Sequence, residues 1–313
     1  MQESRKTVYF ALVANAAIAV AKAVGGLVSG STALLAEAAH SVADTTNQVF
    51  LLVSISFGER RPDADHPFGY GKERFFWAFM AAVGIFVAGA GFSIFEGLRA
   101  ILGEAEETDY LVAYAVLGFA FVAEGIALLR AVRQTRAEAR EQDRSIPGHV
   151  RHGRDPTTKT VLFEDTAAVT GVVLAIAGVA LHQVTGNHVF DGIAAVLIGV
   201  LLAVAAIGLG HDTKGLLIGE SALPEEREAM REVIERRPEV DRLVELLTMT
   251  TGPSSLLVAA RLDLANDLRG DDVERVSSEL DRELREAVPS VNEVFLDPTP
   301  DRDSGRAEFG AER

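Results

Sequence analysis

The chain of 313 residues contains no cysteine. Disulfides, thiolate metal sites and cysteine nucleophiles are excluded together. Basic residues are outnumbered as well: 30 Lys and Arg face 45 Asp and Glu, for a formal charge of −15. A nucleic-acid binder needs a basic surface to meet phosphates, so no nucleic-acid partner is expected. Histidine is missing beyond residue 211, all seven lying at or before it. A cleavable signal peptide is not evident, because the first apolar stretch is too long and lacks a small-residue cleavage site.

What is present is segregated. Apolar residues make up 48% of the chain and charged residues 24%, an unusual pairing for a well-mixed soluble fold. Residues 1–211 carry 16 basic and 20 acidic side chains, and residues 212–313 carry 14 and 25. The first part holds six long apolar stretches, approximately 7–29, 33–57, 75–97, 111–129, 158–181 and 189–209. Each is near the ~20 residues with which a helix crosses ~30 Å of hydrocarbon. The expectation is an α-helical membrane domain over 1–211 with six transmembrane helices.

Orientation follows from where Lys and Arg sit between the stretches. Arg5 and Lys6 precede the first, Arg60, Arg61, Lys72 and Arg74 follow the second, and eight basic residues lie between Arg130 and Lys159. The odd-numbered connections are nearly bare of them. A multi-pass integral membrane protein with both termini in the cytoplasm is expected, in a prokaryotic cell membrane.

After His211 the character changes. Pro224 to Arg236 reads as an amphipathic helix, Val240 to Thr250 and Ser255 to Leu264 as strands around a Gly252-Pro253 turn, Asp271 to Ala287 as a helix, and Val291 to Asp297 as a third strand. Asp271 or Asp272 is available to cap the second helix. This αββαβ order predicts a small α+β, ferredoxin-like domain over 212–300. Residues 301–313 read as a disordered tail.

Ionisable residues inside spans are costly, so each calls for a reason. In the second span Glu37, His40, Asp44, Asn47 and Gln48 fall within an arc of about 100° on a helix of 100° per residue. His40 and Asp44, four apart, project from one face and suit a divalent cation such as Zn²⁺. The fifth span adds Glu164 and Asp165. Asp44 lies ~16 Å from the outer end of its helix and Asp165 roughly 10 Å from the inner end of an antiparallel one, so the two can meet near the midplane. Lys22, Glu37, Glu124 and Glu96 are read as structural polar residues that pair between helices, Lys22 neutralising Glu37.

HSVADTTNQ in the second span, DADHPFGYGKER in the next loop, EDTAAVTG in the fifth span, and FDGIAAVLIGVLL with HDTKGLLIGES in and after the sixth resemble the cation diffusion facilitator family of cation efflux proteins. LFEDTAAV is most similar to the branch that contains the mitochondrial zinc exporter. The resemblance implies a homodimeric exporter of a divalent metal, commonly Zn²⁺, driven by inward proton flow. It carries the metal site to His40, Asp44 and Asp165. At the fifth span's other ligand position this chain has Val161, so Glu164 or Asn47 is the candidate replacement, and an oxygen-richer set suits Mn²⁺ or Fe²⁺. Asp63 and His66 match part of a peripheral site in the loop, with Tyr70 where a histidine is common, and are weak candidates. The tail domain has only Asp263 and Asp297 where relatives use histidines, so dimerisation is expected of it rather than metal sensing. His149 and His152 read as a solvated pair.

The expected function is therefore secondary transport of Zn²⁺, or of Mn²⁺, Fe²⁺ or Co²⁺, from the cytoplasm in exchange for protons by alternating access. The metal is cargo, and no cofactor is expected. Ligands must be deprotonated to bind metal, so protons and metal compete, and an imidazole titrates near neutrality (about 6.5 when unperturbed). The rivals are a non-transporting membrane scaffold with an acidic partner-binding domain and an intramembrane hydrolase with Asp44 and Asp165 as a dyad.

Overall fold

The computed structural model describes residues 2–58, 60–103, 107–141 and 156–299. It divides into two units, one of residues 1–60 and 73–214 and one of residues 61–72 and 215–313. Within the described residues the first unit is helical: α1 (Gln2–Ser29), α2 (Thr32–Gly58), α3 (Glu73–Leu102), α4 (Tyr110–Glu141), α5 (Pro156–Thr185) and α6 (Val189–Ile218). The expected apolar stretches lie inside these six helices. The helices run further than the apolar runs; α4 continues from the expected end at Leu129 through RAVRQTRAEARE to Glu141. Charged residues of high helix propensity extend a helix that apolarity alone would have stopped.

Four described helices, α3, α4, α5 and α6, are long and apolar enough to cross a membrane. The expectation was six. In α1 the described apolar part is the shorter Asn15–Ser29. The apolar character of α2 is interrupted by Glu37, His40 and Asp44, the residues that make it interesting. Large apolar side chains such as Leu27, Phe95, Phe119 and Val204 point outward and are more than half exposed, which suits a lipid environment.

Small residues dominate the core of this unit. Ala33, Ala36, Ala43, Ala113, Ala120, Ala175, Ala194 and Ala195 are buried with Leu34, Leu117, Val172, Ile198 and Leu202. Where lipid removes the hydrophobic drive between helices, close backbone approach has to supply the packing. Gly97 of α3 and Gly192 of α6 show how close it is. A Cβ on Gly97 would lie 2.7 Å from the Gly192 carbonyl oxygen, and one on Gly192 would lie 2.9 Å from that of Gly97. Between Ile85 and Gly91 (IFVAGAG), α3 widens into π-helical turns, in a stretch without proline. Nothing in the apolar pattern foretells that widening.

The second unit contains α7 (Pro224–Glu235), β1 (Val240–Gly252), β2 (Ser255–Leu264), α8 (Gly270–Ala287) and β3 (Val291–Asp297). Helices and strands follow the αββαβ order read from the sequence. The sheet order is β1-β2-β3, with β2 antiparallel to β1 and parallel to β3. Alternate residues of β2, Leu256, Val258, Ala260 and Leu262, are buried against Met230 and Ile234 of α7 and Val276, Leu280 and Leu284 of α8. Asp272 does not sit at the N-cap of α8. It lies inside the first turn and accepts from the backbone N–H of Arg269 at 3.1 Å, the reciprocal half of a capping box.

Residues 61–72, the connection between α2 and α3, pack with this sheet unit. Phe68 meets Phe295 of β3 edge-on at 6.3 Å between ring centroids. A Cβ on Gly71 would collide with the Thr251 backbone. Lys72 Nζ donates to the Leu217 carbonyl at 3.5 Å.

Candidate metal path

The polar stripe of α2 contains two kinds of residue. Glu37 is fully buried and is paired through one oxygen, its Oε1 having no hydrogen-bond partner: Lys22 Nζ, from α1, donates to Glu37 Oε2 at 3.0 Å and to Glu124 Oε1 of α4 at 3.2 Å. One buried ammonium thus ties three helices together. Glu37 leans on Gly171 of α5, where any larger residue would collide with its carboxylate. Glu96 pairs with Arg99 on its own helix at 3.2 Å.

One turn further along α2 no ammonium is close among the described residues, and the unpartnered atoms multiply. His40 Nε2 lies 3.4 Å from Asp44 Oδ2, too poorly placed for a hydrogen bond. Both ring nitrogens of His40, Ser41 Oγ, Asp44 Oδ1 and Gln48 Oε1 are buried with no hydrogen-bond partner. His40, Asp44 and Gln48 recur every fourth residue and therefore form one row. A buried polar atom without a partner costs about 1–3 kcal/mol, so a row of them on one helix face is unusual and packing alone does not account for it.

The side chain of α5 that bonds to the polar stripe of α2 is Glu164, and it does so beside the row, at Asn47. Asn47 Nδ2 donates to Glu164 Oε1 at 2.5 Å. The sequence favoured Asp165, which stands 100° around the same helix and is half-buried. Among the described residues no three His, Asp or Glu side chains are close enough together to hold a metal ion. The structure thus pairs His40 with Asp44 and Asn47 with Glu164 but does not gather His40, Asp44 and Asp165 into one cage. The Val161 side chain, His149, His152 and the tail 301–313 lie outside what is described.

The peripheral candidates form an ordered turn. Asp63 Oδ1 accepts from the backbone N–H groups of Asp65 and His66 at 3.0 and 2.8 Å, and Asp63 Oδ2 accepts from the Tyr70 hydroxyl at 2.6 Å. The His66 ring stacks near Tyr70 at 4.2 Å. The Tyr70 hydroxyl first, then the His66 N–H, hold the Asp63 carboxyl below its usual 3.8. A depressed carboxyl stabilises the folded turn above that range and loses its contribution as pH falls through the folded value. Tyr70→Phe is expected to raise the Asp63 titration toward 3.8, read from its carboxyl carbon shift. In the sheet unit, Asp297 accepts from Arg261 Nε at 2.9 Å and from Thr299, which occupies it with protein partners.

Comparison with known proteins supplies the rest. A cation efflux transmembrane domain matches residues 8–218. "Metal tolerance protein C4" of Arabidopsis thaliana is 30% identical over 96% of this chain and 75% of its own length. "Proton-coupled zinc antiporter SLC30A9, mitochondrial" of Homo sapiens is 33% identical over 82% of this chain, which spans 45% of that relative's length. "Manganese efflux system protein MneP" of Bacillus subtilis is 26% identical over 96% of this chain and 97% of the relative. The match covers the helices that carry the unpartnered row and reaches the HDTKGLLI end of α6. The hydrolase reading falls with it, and the chain belongs to the cation diffusion facilitator family of membrane-embedded metal transporters, not to the enzymes.

Proposed function

We propose that this chain exports a divalent metal cation from the cytoplasm in exchange for protons by alternating access, with Zn²⁺ the foremost substrate and Mn²⁺, Fe²⁺ and Co²⁺ the others to be tried. The observation that carries the reading is the row of unpartnered buried atoms on α2 at His40, Asp44 and Gln48. A non-transporting scaffold has no use for it. His40 and Asp44 are the first ligands, Asp165 the third once α5 moves toward α2, and Glu164, if α5 rotates or bends, or Asn47 the oxygen donor that stands in for the missing ligand at Val161. Metal arriving at deprotonated ligands displaces protons, and metal leaving on the other side returns them. All six helices cross the bilayer, both termini face the cytoplasm, and the 212–300 domain pairs two copies of the chain. The zinc antiporter and manganese efflux names of the relatives support both ends of the substrate range.

Flux into proteoliposomes tests this. The full chain is expected to move Zn²⁺ or Mn²⁺ faster when a pH gradient is imposed and to lose that acceleration when a protonophore collapses it. Absence of flux for Zn²⁺, Mn²⁺, Fe²⁺, Co²⁺ and Cd²⁺ alike would leave the scaffold reading in its place.

A further inference from the structure

The start of α2 is finished by a residue 159 positions away. A helix begins with backbone N–H groups that have no partner within it. In α2, Ser31 is the N-cap: its hydroxyl oxygen accepts from Leu34 N–H at 3.2 Å and its carbonyl accepts from Leu35 N–H at 3.1 Å. The Thr32 and Ala33 N–H groups remain. Both donate to one atom, Asp191 Oδ2 in the first turn of α6, at 2.5 and 3.3 Å. The Ser31 hydroxyl donates to the same carboxylate, 3.1 Å from Oδ1. Asp191 is 3% exposed and Ser31 is fully buried. A carboxylate at a helix N-terminus is held by the dipole as well as by the hydrogen bonds. Here the carboxylate belongs to a different helix, so the cap is also a joint.

We infer that Asp191 is a positioning residue of the metal path: it pins the outer end of α2 to α6 and so sets the depth and rotation of the face that carries His40 and Asp44. The lever is short. His40 and Asp44 lie eight and twelve residues past Thr32, about 12 and 18 Å along a rigid helix, so a slip or turn at the cap is transmitted to the ligands. Among the described residues Asp191 Oδ2 is the acceptor that both the Thr32 and Ala33 amides use, while the Ser31 hydroxyl serves Leu34. The inference rests on the transport reading for its consequence but not for its geometry.

A reporter is built into the inner half of α2. Trp77 of α3, the single tryptophan, lies 5.5 Å from the Phe50 ring and 6.4 Å from the Phe57 ring. Its emission reads the position of α2 against α3. Two cuts are made in the full chain, in detergent and in proteoliposomes. Asp191→Ala removes the acceptor. Thr32→Pro removes the N–H with the shortest bond, at the first helical position, where proline is tolerated; this variant answers the question if the first does not fold. Both are expected to shift Trp77 emission and to raise the KM for Zn²⁺ or Mn²⁺ about 10-fold or more, with the maximal rate changed much less. Asp191→Asn keeps an acceptor on Thr32 and is expected to restore both readouts toward wild type. Unchanged emission and unchanged KM in folded Asp191→Ala or Thr32→Pro overturn the inference. Asp191→Asn behaving as badly as Asp191→Ala overturns it too. If the wild-type chain moves no metal, the transport reading fails alone, and the emission shift still decides the joint.

Discussion

Asp44→Asn is expected to lower metal flux by at least about 100-fold, more than the loss usual for a residue that only supports a ligand. The substitution keeps size and helix propensity. It removes the ionisable carboxyl from a buried row in which Asp44 Oδ1 has no partner and Oδ2 meets His40 Nε2 only at 3.4 Å. Because nothing in the fold leans on that carboxylate, the variant should stay folded, and its size-exclusion profile should match that of the parent. The check is proteoliposome flux at matched protein density. Wild-type rates in a folded Asp44→Asn would remove Asp44 from the path.

Lys22→Met is expected to act in the opposite way, on the fold before the transport. Lys22 is fully buried, as is Glu37, and its ammonium is the cation between two carboxylates from two other helices. Removing one partner of a buried ion pair costs about 3–5 kcal/mol, because the other charge is left uncompensated in a low dielectric. Here two acids are left facing each other. Heating in detergent should show the variant aggregating well below the parent. A triple variant, Lys22→Met with Glu37→Gln and Glu124→Gln, should recover most of the difference, since it leaves no lone charge. If the single variant melts with the parent, the triad is not what joins α1, α2 and α4.

These two residues show what a sequence discloses and what it withholds. The cost of a charge in a span can be read from one line of letters, and so can the i, i+4 spacing that puts His40 and Asp44 on one face. Lys22 was matched to Glu37 on charge alone, and the 3.0 Å contact is present. In the sheet domain, apolar segments and the Gly252-Pro253 turn marked β2 as Ser255–Leu264 and β3 as Val291–Asp297, the bounds the strands have.

The rest was hidden for identifiable reasons. Glu164 and Asp165 are neighbours in sequence, and only the rotation of α5 decides which of them meets Asn47. The cap on α2 comes from residue 191, beyond any local window, and Asp191 in a first turn looks like an ordinary acidic start to its own helix. The π-helical turns of α3 leave no mark in IFVAGAG. The loop 61–72 carries letters that suggest a metal site, while its contacts, Phe68 with Phe295 and Gly71 with Thr251, show a piece of the sheet unit reached from elsewhere in the chain.

That last feature bears on how the protein is to be dissected. The sheet unit is threaded to the helices at three peptide junctions, 60/61, 72/73 and 214/215, not at one. Stopping translation after Lys214 is consequently no clean amputation: it strips Phe68 of its aromatic neighbour and leaves the tether between α2 and α3 without the strand it packs on. Lost transport in such a truncation would implicate the orphaned tether as readily as the missing sheet, and a shortened gene that also replaces 61–72 with a polar linker is the fair control.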